Sequence, residues 1–304
     1  MEYSYNEYTS LTKEERFDYL IETLSPTNRT SDYYVNWNKV YQNTKEIEIY
    51  LHLLNYLIGK NEIYKEALTL FKKYPESIRA IPTLLAIRET NFEVLHIDDK
   101  LNLTYENLDF VNIDTDNIEK YVDFANLSGL LDFLSNHCTK SLVDYVIGVE
   151  VGLDSNGRKN RSGTFMEKVV ENKVKTICEC YGLEYLPQAT APRILKKWNF
   201  ELPYNESIRS HDFAIYNPDK NKLTIIEVNY YGGGGSKLKS VSGEFTELNN
   251  FFQAKNPNIQ FVWITDGQGW HTAKKPLQEA FNEINHIINL DMLNNGYLEE
   301  ILKL

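Results

Sequence analysis

The chain has 304 residues, of which 42% are hydrophobic and 25% charged, and a formal net charge of −11. That length suits one large domain or two modest ones, the composition is that of an ordinary globular protein, and no apolar run reaches the roughly 18 residues needed to span a membrane. The acidic balance excludes a surface that is basic all round, so any phosphate binding must come from a local patch. The opening residues MEYSYNEYTS are polar and acidic, unlike an export signal, and the three cysteines Cys138, Cys178 and Cys180 suit a reducing compartment. A cytoplasmic location is therefore expected. Cys-Glu-Cys without a second Cys or His pair nearby makes a poor zinc site.

In chain order, the first half reads as helical. Thr12 and Glu15 have capping-box spacing ahead of the apolar series Phe17, Leu20, Ile21 and Leu24. Residues 38–58 repeat apolar side chains at helical spacing, and further helices are expected over 63–73, 76–89 and 117–135. An apolar segment from Leu142 to Val151 leads into the second half, and a soft domain boundary falls near residue 140. Residues 1–140 then form a helical N-terminal region, suited to clamping DNA or to dimerisation, and residues 141–304 a separate core.

The second half alternates elements. After the glycine-flanked stretch 154–163, a helix is expected from Thr164, with Met166, Val170, Val174, Ile177 and Tyr181 along one side. Strands are expected at His211–Tyr216, Leu223–Tyr230 and Ile259–Thr265, and helices over 237–254, 273–285 and 291–302. This is an α/β arrangement with a mixed central sheet flanked by helices.

Strand periodicity picks out two acids. Asn217-Pro218-Asp219-Lys220 is a strong turn signal, and a hairpin centred between Asp219 and Lys220 pairs residues whose numbers sum to 439. Asp212 then lies across from Glu227, with Asn229 on the Glu227 face. Directly opposed side chains stand about 4.5–5.5 Å apart at Cβ, where two carboxylates repel unless a cation intervenes. A hard dication such as magnesium resolves the repulsion, activates water and stabilises phosphodiester attack. Two solvated strand acids are the plain alternative, and a one-residue slip would separate their faces.

The segment Asp212…Ile226-Glu227-Val228-Asn229 resembles the PD-(D/E)XK nuclease motif. Three blocks are similar to the DpnII/MboI family of Type II restriction endonucleases. They are Val143–Tyr145 through Gly148–Arg161, then Ile226–Tyr231 with Gly235–Leu238, and Trp263–Trp270. The resemblance implies a PD-(D/E)XK restriction-endonuclease-like core, Mg2+-dependent cleavage of double-stranded DNA at GATC, and a cognate adenine methyltransferase that protects the host. The general PD-(D/E)XK pattern puts Lys where this chain has Asn229. An amide carries no charge but can orient water or a phosphate oxygen, and Lys237, just beyond Gly232–Gly235, is the candidate for a displaced cation.

Arg158, Lys159 and Arg161 precede the expected helix and make a candidate phosphate site, against the plain reading of a solvated basic loop. Gln268, in the loop after the last strand, is a candidate base contact or a structural residue. Glu167 is either the capping-box partner of Thr164 or a further metal-site acid. His211 should face away from Asp212 and serve in packing or in support of the site. Ser236 stands where a P-loop needs glycine, so the glycine run is not a nucleotide-phosphate loop. A palindromic target would favour a homodimer. A non-catalytic DNA- or protein-binding member of the fold and a structure-specific repair nuclease are the alternatives.

Overall fold

The computed structural model describes residues 2–97, 99–204 and 208–303, apart from the side chains of Lys159 and Asn160. It is α/β, with helices around a mixed sheet. The chain forms two compact units, Met1–Thr30 with Lys159–Leu304, and Ser31–Arg158. The division near residue 140 is thus replaced by two, because the first thirty residues find their apolar partners in the C-terminal elements. No described helix is long and apolar enough to cross a membrane.

Two short helices open the chain, α1 (Tyr5–Ser10) and α2 (Lys13–Glu22). The capping box of α2 is formed as its spacing predicts, with Glu15 Oε2 accepting the Thr12 N–H at 2.8 Å. Phe17 packs edge-on against Phe281 at 5.5 Å, and Tyr8 lies 5.2 Å from Tyr297. The fully buried Asn289 donates to Leu20 O and Thr23 Oγ1. These contacts fasten the N-terminus into the site-bearing unit.

The Ser31–Arg158 unit contains α3 (Trp37–Leu54), α4 (Ile63–Lys73), α5 (Ile81–Leu84), β1 (Asn91–Ile97), β2 (Leu103–Asp109), α6 (Ile118–Leu127), α7 (Leu130–Asp132) and α8 (Leu142–Asp154). The helix expected over 76–89 is instead a 3-10 stretch, Pro75–Ala80, followed by the single turn of α5, with Pro75 and Pro82 each near the start of its segment. The one expected over 117–135 ends at Gly129, whose φ of +80° is left-handed. The hairpin β1–β2 escaped the periodicity because Phe92 and Val94 alternate with Leu95 and Ile97, so neither face reads as polar.

The larger unit continues with α9 (Arg158–Tyr181), β3 (Glu184–Ala189), α10 (Ala191–Trp198), β4 (His211–Asn217), β5 (Lys222–Tyr230), α11 (Ser236–Lys255), β6 (Ile259–Asp266), α12 (Lys274–Glu283), β7 (Ile287–Ile288), α13 (Leu290–Asn294) and α14 (Tyr297–Lys303). The sheet order is β3-β4-β5-β6-β7, with antiparallel pairing up to β5 and parallel pairing beyond it. The parallel step needs a long crossover, which α11 supplies. All eight residues of β6 are buried, as a strand covered on both faces requires. Phe245 of α11 packs edge-on against Phe261 and Trp263 at 5.8 and 5.1 Å, holding the helix over the β5–β6 pair.

The smaller unit is pinned by a buried acid. Glu150 on α8 is 2% exposed and takes both terminal nitrogens of Arg88 at 2.8 Å and Asn43 Nδ2 at 2.7 Å. One turn on, Asp154 accepts the Asn36 N–H at 2.8 Å, beside the start of α3. Arg88→Ala is expected to strand the Glu150 carboxylate and cost about 3 kcal/mol in urea unfolding, while Arg88→Ala with Glu150→Gln recovers most of the loss. A single variant within about 0.5 kcal/mol of the parent would show that the pair holds nothing together.

Candidate active site

The hairpin β4–β5 has the register its turn predicts. Phe213 pairs with Ile226, Ala214 with Ile225, and so on to Asn217 with Lys222. Lys220 N–H donates to the Asn217 side-chain oxygen Oδ1 at 3.1 Å, a local bond that closes the loop. One step beyond Phe213 and Ile226, Asp212 comes level with Glu227.

At that level the ladder changes. Asp212 Oδ2 accepts the Val228 N–H at 2.8 Å, so a side chain serves as acceptor to the β5 backbone. Across from β4, Gln188 has a left-handed φ of +46°, and the paired positions of β3 skip it. Glu227 is 5% exposed. Its Oε1 lies 2.7 Å from His211 Nδ1, which requires a shared proton, and 3.3 Å from Arg209 Nε. Arg209 Nη1 in turn reaches Glu244 Oε1 on α11 at 2.5 Å, and its guanidinium sits 5.3 Å from the Phe245 ring centre. His211 packs edge-on against Phe252 at 5.9 Å.

Burial pushes the Asp212 carboxyl up to about 7, helped by the charges of Glu227 and, more weakly, Glu167. The Val228 hydrogen bond and Arg209 act in the opposite sense. Glu167 is also raised, first by burial and then by Glu171 and Glu227. Three acids from α9, β4 and β5 therefore feel one another. No set of three or more His, Cys, Asp or Glu among the described residues has metal-holding geometry. Magnesium does not need one, since it binds through one or two carboxylates and completes its shell with water and phosphate oxygens. Asp212 and Glu227 each keep one carboxylate oxygen without a hydrogen-bond partner among the described residues, and Asp212 has an unfavourable charge for a dication to relieve. The donor set fits.

The remaining sequence candidates disperse. Asn229 Oδ1 accepts the indole N–H of Trp263 at 3.0 Å, so its acceptor is spent on the core. Lys237 stands exposed in the first turn of α11, with no ion pair to either acid. The basic stretch is not a loop before a helix at Thr164. A 3-10 turn, Ser155–Gly157, runs into α9 from Arg158, whose N–H is already bonded to Ser155 O, so that amide is not free for a phosphate. Arg158 Nε donates to Tyr34 O at 3.1 Å, and Arg161 is half-buried with a partner of its own. The Lys159 side chain lies outside the described residues. With the helix starting at Arg158, Thr164 is interior, and Glu167 cannot be its capping partner.

The last block is a structural knot. Gln268 Nε2 donates to Leu24 O and Ser25 O at 3.0 and 3.2 Å, which uses both amide protons inside the protein. Asp266, fully buried at the end of β6, accepts N–H groups from Ser25, Gly267 and Leu290. Gly269 packs so closely on the loop after β5 that an added Cβ would lie 2.4 Å from Gly233 O and 2.7 Å from Tyr231 O. The glycines let two loops touch.

Sequence reasoning missed Arg209 and gave His211 only a supporting place. The signal was present. A buried glutamate needs hydrogen-bond donors and a counter-charge, and Arg209 and His211 alternate at the entry to β4, just before its acid.

The family model of the DpnII restriction endonucleases matches residues 16–300. The Type II restriction enzyme LlaDCHI of Lactococcus lactis subsp. cremoris is 50% identical over 299 residues, covering 98% of each chain. MjaIII of Methanocaldococcus jannaschii is 45% identical over 94% of this chain and 99% of its own. DpnII of Streptococcus pneumoniae is 34% identical over 94% and 98%.

The raised Asp212 carboxyl predicts a pH effect of fixed sign. Between its ordinary value near 4 and about 7 the folded state binds the extra proton, so without metal stability falls as pH rises through that window. Asp212→Asn is expected to raise the metal-free melting temperature at pH 8, by roughly 2–4 kcal/mol of stability, and to change little at pH 4. Equal shifts at both pH values would refute this.

Proposed function

Because the chain belongs to the DpnII restriction endonuclease family, we propose that it cleaves double-stranded DNA at 5′-GATC-3′ by magnesium-dependent phosphodiester hydrolysis. It is a site-specific endonuclease of Type II. The observation that supports metal-dependent hydrolysis is the acid couple, Asp212 on β4 and Glu227 on β5, set level by the hairpin and mutually unfavourable.

Asp212 and Glu227 are the residues that would hold the dication, which supplies a lowered water pKa and charge stabilisation at the phosphate. The chain's own part is orientation. Val228 N–H fixes one oxygen of Asp212, and His211 and Arg209 fix one oxygen of Glu227. Glu167 adds a third negative charge within electrostatic reach. An overall charge of −11 is compatible with DNA binding when the approach surface is locally basic. A palindromic target fits a two-fold homodimer, and self-protection calls for an adenine methyltransferase acting on the same sequence.

The test is digestion of unmethylated plasmid with Mg2+ and sequencing of the fragment ends. All ends are expected at GATC, with no cutting in EDTA or on adenine-methylated DNA. Asp212→Asn and Glu227→Gln should each lower turnover by about 1,000-fold or more, while DNA binding in Ca2+ persists. Ends at another sequence overturn the specificity, cutting in EDTA overturns the metal, and binding without any cutting favours a non-catalytic member of the fold.

A further inference from the structure

We propose that Arg209 is the positioning cation of this site, holding the Glu227 carboxylate in place and supplying, from the entry to β4, the positive charge that residue 229 lacks. The proposal rests on the endonuclease reading and deepens it.

Three observations carry it. Glu227 is buried in the middle of the sheet, where a lone carboxylate is costly, and it is met there by the His211 imidazole and the Arg209 guanidinium. Arg209 is itself held on three sides, by Glu227 through Nε, by Glu244 through Nη1 and by the face of Phe245. A guanidinium can span two carboxylates in this way because its donors are fixed in a planar fork, whereas an ammonium is a point charge. Finally, neither of the other two positions brings a charge to the acids. Asn229 is bonded to Trp263, and Lys237 pairs with neither acid.

The side chain is not sealed in. It is 33% exposed and lines a cavity of about 230 Å³ together with His211, Glu244, Leu248 and Phe252. The contact between Glu244 of α11 and Arg209 therefore lies along the wall of this cavity. Since Arg209 is not placed on the reacting atoms, its role is to aim Glu227, and Glu244 aims Arg209 in turn.

The experiment compares Arg209→Gln, Arg209→Lys and Glu244→Gln with the parent. It measures kcat and KM for plasmid cleavage, and Mn2+ affinity by calorimetry without DNA. Loss of an outer residue that orients a metal ligand typically costs 10–100-fold in metal affinity or activity. Arg209→Gln is expected to lower kcat about 100-fold with KM changed less than about threefold, and to weaken Mn2+ binding about tenfold. Arg209→Lys should recover only part of both, because an ammonium cannot span Glu227 and Glu244. Glu244→Gln leaves Glu227 its contacts with Arg209 and His211 and should weaken Mn2+ binding by a smaller factor, about three- to fivefold, in the same direction. It serves as the test if Arg209→Gln fails to fold by its melting curve. Parent-level kcat with unchanged or tighter Mn2+ binding in Arg209→Gln, or in Glu244→Gln where the first variant is unfolded, overturns the proposal. A parent protein that does not cleave with Mn2+, or a Glu227→Gln variant that cleaves normally, instead defeats the endonuclease reading itself.

Discussion

Glu227 sits in the central strand of the sheet with almost no access to water, and much of the surrounding structure answers that placement. A carboxylate there is tolerable only if cations and hydrogen-bond donors are brought to it. His211 and Arg209 come from the entry to β4, so the chain leading into that strand must run beside β5. Arg209 then needs Glu244 and the Phe245 ring, which fixes α11 over the same face, and Phe245 in turn packs on Phe261 and Trp263 of β6. One buried charge thereby ties β4, β5, β6 and the crossover helix together. A dication shared with Asp212 would use this arrangement rather than create it.

The C-terminal ends of β5 and β6 obey a second constraint. Parallel strands finish side by side, and the loops that leave them compete for the same space. Here glycine resolves the crowding. Gly267 has φ +107°, and at both Gly267 and Gly269 a Cβ would overlap the backbone oxygen of Tyr231. Gly269 N–H bonds that oxygen at 2.8 Å, and Asp266 and Gln268 extend the knot to residues 24 and 25. This is also why the first thirty residues belong to the site-bearing unit. They are stitched to the strand ends by hydrogen bonds between positions about 240 apart in the chain.

What could be read in the sequence follows from which interactions are local. The turn at Asn217–Lys220 fixes the hairpin register from inside the hairpin, and the pairing of Phe213 with Ile226 follows from it. Thr12 and Glu15 cap their helix within one turn. By contrast, β3 contains Pro187 and reads as no strand, yet proline is tolerated because β3 is the sheet edge. The start of α9 was misplaced because Ser155, Asn156 and Gly157 are turn-formers, and here they form a 3-10 turn that leads into the helix. At the site, the level placement of Asp212 and Glu227 was legible. Their orientation was not, because Asp212 bonds to the β5 backbone and Glu227 to His211, contacts that strict strand alternation does not contain.

The asparagine at 229 follows from the core. Trp263 is completely buried, and an indole N–H in that position needs an acceptor. Asn229 Oδ1 provides it from the neighbouring strand, at the register position two beyond Glu227. A lysine there has no acceptor to offer, so restoring the usual nuclease residue would leave the Trp263 donor unsatisfied in the middle of the sheet, at a cost of about 1–3 kcal/mol. The packing of this chain thus favours a hydrogen-bond acceptor over a lysine at residue 229. A positive charge beside Glu227 has to arrive from a different element, and the entry to β4 is where the fold already brings Arg209 and His211 against it.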